Sequence, residues 1–89
     1  MIEIIKSKEY IAKCFKIGAT YKIFIAEHSD GLFHSGVLYT TAKPITDEIT
    51  IVDWHLKSFV DYKEEIVFNE AVKWIKDNLD PEPEITEIS

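Results

Sequence analysis

The side chains in this chain with potential for chemistry are few. Two histidines, His28 and His34, flank a Ser-Asp-Gly tip, with Asp30 between them. Two imidazoles and a carboxylate form a donor set for a transition metal. Their spacing matches no established zinc pattern, and His55 with Asp53 lies on a different stretch, so no metal ligand is assigned. Cys14 is the only cysteine, which rules out an internal disulfide. As a nucleophile it would need a nearby base and an electropositive setting. No histidine is close in sequence, so Cys14 reads as a small buried hydrophobe. Glu64-Glu65 and Asp47-Glu48 are adjacent carboxylates. Neighbours of this kind do not share a face of a helix or strand, so paired acid and base work is not expected of them. The glycines stand singly at 18, 31 and 36, so no phosphate-cradling loop is present. No catalytic residue and no cofactor is assigned.

The stretch that must position the histidines runs from Tyr21 to Tyr39, YKIFIAEHSDGLFHSGVLY. Two apolar runs about a Ser29-Asp30-Gly31 tip predict a β-hairpin. A three-residue loop sets His28 opposite Leu32, Ile25 opposite Ser35, Ile23 opposite Val37 and Tyr21 opposite Tyr39. A two-residue Asp30-Gly31 turn is the competitor. Register fixes which side chains share a face, and the first choice gathers Tyr21, Ile23, Ile25, Phe33, Val37 and Tyr39 on one side. The other side then carries Lys22, Phe24, Ala26, His28, Leu32, His34, Gly36 and Leu38. That second face is mixed rather than polar.

The remaining elements follow from the pattern. Tyr10 to Ile17 reads as a strand, with a Gly18-Ala19 turn that sets Cys14 opposite Ile23. Tyr10, Ala12 and Cys14 join the first face, where the small pair leaves room for a helix. Ile11, Phe15 and Ile17 join the second. Met1 to Ile5 is a short strand or lead-in arm. Thr40 to Pro44 reads as a loop, and Glu48 to Leu56 as a strand. Asp61 and Glu64 have the spacing of a reciprocal helix cap; the alternative is that Ile66-Val67-Phe68 ends a strand and Asn69 caps the helix. Phe68, Ala71, Val72, Ile75 and Leu79 then recur at helical spacing, with Trp74 at the edge. Asp80-Pro81-Glu82-Pro83 ends the helix.

The expected fold is therefore α+β: an antiparallel four-stranded β-meander with one C-terminal helix packed on one face. Residues 1–79 form the single domain, and residues 80–89 an acidic, flexible tail.

Composition excludes some classes. All ten basic residues are Lys, and the net charge is −6. A chain with no Arg to grip phosphates bidentately is not expected to bind nucleic acid. The charge is uneven, +3 over residues 1–26 and −9 over the rest. No apolar run reaches the length of a bilayer span and no secretory leader is visible, so a cytoplasmic setting without membrane contact is expected. Lys in place of Arg and abundant Ile fit an AT-rich coding sequence, common in bacteria and their phages.

A helix covers only one face of such a sheet. The other keeps an apolar surface, the usual mark of an interaction site. The sequence thus points to a small acidic, non-enzymatic binding protein, an inhibitor or regulator of another protein, with self-association into a homodimer as a related outcome. The partner-binding residues expected are Phe15, Ile17, Phe24, Leu38, His28 and His34. The alternative is a ligand-binding or enzymatic homo-oligomer with its pocket between subunits.

Overall fold

Residues 2–45 and 48–88 are described by the computed structural model of the chain. Asp47, half of one carboxylate pair, lies outside them. The element order is β1 (Ile4–Cys14), β2 (Ala19–His28), β3 (Phe33–Ile45), β4 (Glu48–Asp61), α1 (Glu64–Asn78) and β5 (Glu84–Glu87). The strands form one antiparallel sheet in the order β4-β3-β2-β1-β5. The first four strands are a meander. Helix α1 then carries the chain back across one face, and β5 adds to the far side of β1. The architecture is α+β as expected, with one strand more: Glu84–Glu87, within the segment read as a tail, pair with Tyr10–Lys13.

The β2–β3 hairpin has the three-residue loop. Ile25 faces Ser35, Ile23 faces Val37 and Tyr21 faces Tyr39. Gly31 takes φ 90°, open to glycine without steric cost. The tip is closed by Gly31 N–H donating to His28 O at 3.0 Å and by His28 N–H donating to Leu32 O at 2.9 Å. Asp30 Oδ1 accepts from Leu32 N–H at 3.1 Å, so the tip carboxylate is engaged in the turn.

The β1–β2 connection differs from expectation. Cys14 faces Ala19, not Ile23, and Tyr10 faces Ile23. Phe15 to Gly18 form the turn, with Ile17 N–H donating to Cys14 O and Gly18 N–H to Phe15 O. Gly18, at φ 65°, occupies the left-handed end of the turn, so β2 starts at Ala19. The register moves by an even number of residues, which leaves every side chain on its expected face. Phe15, Lys16 and Ile17 leave the strand. The Lys6–Glu9 segment does not interrupt β1; the strand runs through it, with an irregularity at Ile5 between paired Ile4 and Lys6.

Two other boundaries move. Strand β3 continues through the predicted loop to Ile45, where Pro44 pairs with Ile49. Pro44 lies past Tyr39, the last β3 residue paired to β2, and a residue with a single neighbouring strand can lack an N–H. Helix α1 begins at Glu64 with Lys63 as its cap and no capping side chain. Asp61 Oδ1 instead accepts from Lys63 N–H at 3.2 Å, holding the turn before the helix. Glu64 and Glu65 in the first turn complement the helix dipole.

The core lies between α1 and the first sheet face. It consists of Ala12, Cys14, Ile23, Ile25 and Val37 from the sheet against Val67, Ala71 and Ile75 from the helix. Phe68 packs on Tyr10 with ring centres 4.8 Å apart. Two polar contacts lock the helix. Buried Ser35 donates from Oγ to Val67 O at 2.9 Å, and Lys8 Nζ meets Glu64 Oε1 at 3.1 Å. At the other end, buried Asp80 accepts from Lys16 N–H at 2.9 Å and from Glu82 N–H at 2.8 Å. It ties the helix terminus to the β1–β2 turn and redirects the chain towards β5, where Ile85 packs on the edge of the core.

Candidate functional site

The helix-free face is built from alternate residues of the central strands. In β2 these are Phe24, Ala26 and His28; in β3 they are His34, Gly36 and Leu38. The pairings align them in rows: Ala26 with His34 and Val60, Phe24 with Gly36 and Ser58, Lys22 with Leu38 and His55. Ile4, opposite His28, closes one end. These residues, Lys22 and Val60 excepted, line a shallow open groove of about 340 Å³ with an apolar floor of Phe24, Ala26 and Leu38.

All three histidines of the chain border this groove. His28 and His34 lie diagonally across the hairpin with ring centres 4.3 Å apart and planes tilted by 48°. His55 arrives by another route. Strand β4 carries a bulge, so that Lys57 faces Val37 while His55 faces Leu38. Leu56 is the extra residue. Were Leu56 paired in the regular register, opposite Leu38, His55 would fall opposite Tyr39 on the helix side. Gly36 makes space for the ring: a Cβ there would sit 2.9 Å from His55 Nε2. A bulge re-aims side chains in this way, and it is why the sequence reading kept His55 apart. Trp54 and Phe59 sit on opposite parities of one strand, yet their partners Tyr39 and Ser35 share a face.

The expected binding residues divide into two groups. Phe24, Leu38, His28 and His34 come together in the groove. Phe15 and Ile17 do not. They project from the β1–β2 turn with 68% and 46% of their surface exposed, at the opposite end of β2 from His28. The correction follows from Gly18, whose left-handed backbone ends the strand pair at Cys14 and Ala19. Ile11 stays on the helix-free face, half-buried, opposite Lys22.

Among the described residues no group of three or more His, Cys, Asp or Glu side chains is placed to hold a metal. Cys14 is buried beneath the helix side of the sheet. Burial, and secondly the Asp80 carboxylate, push its thiol up from the ordinary value, which disfavours the reactive thiolate. Asp80 is itself held below the usual carboxylate range by the backbone N–H groups of Glu82 and Lys16. Tyr10 is pushed up, first by burial and then by a hydrogen bond with Glu87. These perturbed groups serve the helix-side core and its edges, not the groove. The groove lining holds neither lysine nor carboxylate, although the chain contains 16 acidic residues. Its titratable groups are the three imidazoles.

No described segment covers this face. Residues 2–3 run beside the hairpin tip, where Glu3 N–H donates to Ser29 Oγ at 3.0 Å and Ser29 N–H to Glu3 O at 2.8 Å. Strand β5 lies at the sheet edge against β1. No described helix is long and apolar enough to cross a membrane. No protein-family model, no curated protein and no solved structure matches the chain.

Proposed function

We propose that this chain is a small non-enzymatic binding protein, an inhibitor or regulator of the bacterial or mobile-element type, acting in the cytoplasm by protein–protein contact. The observation that supports it is the groove face, where Phe24, Leu38 and Ile4 stand beside three imidazoles with neither helix, arm nor β5 over them. Apolar surface rimmed by polar groups is how partner sites are built. A lining with neither lysine nor carboxylate suits an apolar side chain from a partner. The histidines add hydrogen-bond donors and acceptors beside the apolar floor.

The test is Phe24→Glu, with Phe15→Glu as control at the far turn. Co-purification from the native host under matched conditions, with circular dichroism melts of both variants, is the measurement. The expected result is a stoichiometric partner lost with Phe24→Glu and kept with Phe15→Glu, both proteins folded. A folded Phe24→Glu that retains the partner overturns the site. Unfolding of Phe24→Glu would place Phe24 in the structural core and also defeat the proposal.

A second reading, a small-ligand site completed between subunits, draws on the groove volume of about 340 Å³, within the range of ligand pockets. Ligand-dependent thermal stabilisation with a shift of the His28 or His34 ring resonances would favour it over the first.

A further inference from the structure

The two edges of the sheet are unlike. On one side β5 spans four residues, Glu84–Glu87, and carries an acid at each end. Short, charged strands are a common defence against edge-to-edge pairing. On the other side β4 spans fourteen residues, and among the described residues no strand lies beyond it. Its bulge at Leu56 interrupts the ladder, but from Lys57 to Asp61 the pairing with β3 is regular. That segment contains no proline, and Val60 within it and Tyr62 just beyond it are 52% and 75% exposed. A free edge displays a row of backbone donors and acceptors, and apolar side chains along it favour pairing.

The sequence of the segment, Lys57-Ser58-Phe59-Val60-Asp61, reads as self-complementary. In an antiparallel pair of identical strands centred on Phe59, Lys57 of each copy faces Asp61 of the other, Ser58 faces Val60, and Phe59 faces itself. Lys57, Phe59 and Asp61 all lie on the helix side, opposite Val37, Ser35 and Phe33. Two opposite-charge pairs would therefore flank one aromatic pair on a single face. Directly opposed residues of these kinds stabilise a ladder, whereas like charges oppose it. Neighbouring registers lose this match. Centring on Val60 sets Lys57 against Lys63, and centring on Ser58 sets Lys57 against Phe59. A single edge charge discourages pairing with other chains; two opposite charges placed symmetrically about Phe59 select a second copy.

We propose that the β4 edge is a homodimer interface, in which two copies pair antiparallel about Phe59 to form one continuous sheet with both helices on the same side. A twofold axis requires this self-complementarity of the patch. The seam shares Ser58 with the rim of the histidine groove, while Phe24 on the groove floor lies two strands away, so the dimer can present two grooves on its opposite face.

The experiment is light scattering and sedimentation across a dilution series at low salt, on wild type, Lys57→Glu and Asp61→Lys. Wild type should show a concentration-dependent dimer. Each variant places like charges across the seam twice, so each alone should weaken the dimer about tenfold or more. Mixing the two variants restores both opposite-charge pairs, and a one-to-one heterodimer should form with affinity near wild type. Phe24→Glu should leave this dimer intact, which separates it from partner binding at the groove. A wild type that stays monomeric, or a folded Lys57→Glu with undiminished dimerisation, overturns the proposal. So does failure of the folded variants to pair with each other. Lys57 is exposed, so the Lys57→Glu arm stands even where Asp61→Lys loses its bond to Lys63 N–H.

Discussion

Replacing Gly36 by Ala tests how the groove is organised without touching the core. Gly36 lies in β3 with its backbone outside the left-handed region, so alanine fits the strand conformation. The new Cβ would stand 2.9 Å from His55 Nε2, with Cδ2 and Cε1 at 3.6 and 3.7 Å. Ordinary contact begins near 3.4 Å, so the tip of the ring must withdraw by about half an ångström, while the other ring atoms already sit at contact distance. His55 is exposed and free to swing outward. A distorted rotamer costs about 0.5–1.5 kcal/mol. Removing a glycine from the unfolded chain contributes about 0.4–1 kcal/mol in the opposite direction. The two nearly cancel, so stability by chemical denaturation should change by no more than about 1 kcal/mol. The ring resonances of His55 should move clearly, while those of His28 and His34, which lean on each other, should hold. A loss above about 2 kcal/mol would mean that His55 is locked in the sheet surface, and an unmoved His55 would mean that its ring does not fill the space over Gly36. Either result refutes this account of the groove.

Two further outcomes test the frame that holds the groove. Ile75→Ala removes a fully buried helix side chain from the centre of the core and should cost about 2–5 kcal/mol in urea unfolding. That is a large share of the roughly 4–13 kcal/mol expected for 89 residues; a cost below about 1 kcal/mol would show that the helix is loosely docked. Asp80→Asn tests the latch by pH. The folded carboxyl lies below its ordinary 3.8, so its contribution is fully present above that value and is lost as pH falls through the lower, folded one. Wild type should therefore be more stable than the variant at neutral pH, and the gap should close in acid. A pH-independent difference in melting temperature would remove the charge from the explanation.

The hairpin, its register and its two unlike faces were legible in the chain because they rest on local rules. Period-two alternation around Ser29-Asp30-Gly31 admits one register that collects the apolar residues, and the helix repeats Ala71 and Ile75 towards the side that Ala12 and Cys14 leave open. These are consequences of side-chain direction and turn geometry, which neighbours in sequence specify. The β1–β2 register was less accessible, since Gly18 can serve either a tight or a wider turn. Even so, an even slip preserves faces, so the core survived the error while Phe15 and Ile17 left the site.

What required the folded molecule was non-local. The bulge at Leu56 depends on where β3 places its partners, and it alone brings His55 to the groove. Strand β5 forms because Asp80, held by amides from the β1–β2 turn and from Glu82, aims the chain at the free edge of β1; no pattern within DPEPEITEIS specifies that edge. The histidines thus had their residue types written in the sequence, but their assembly into one groove depended on how the bulged strand met its neighbour.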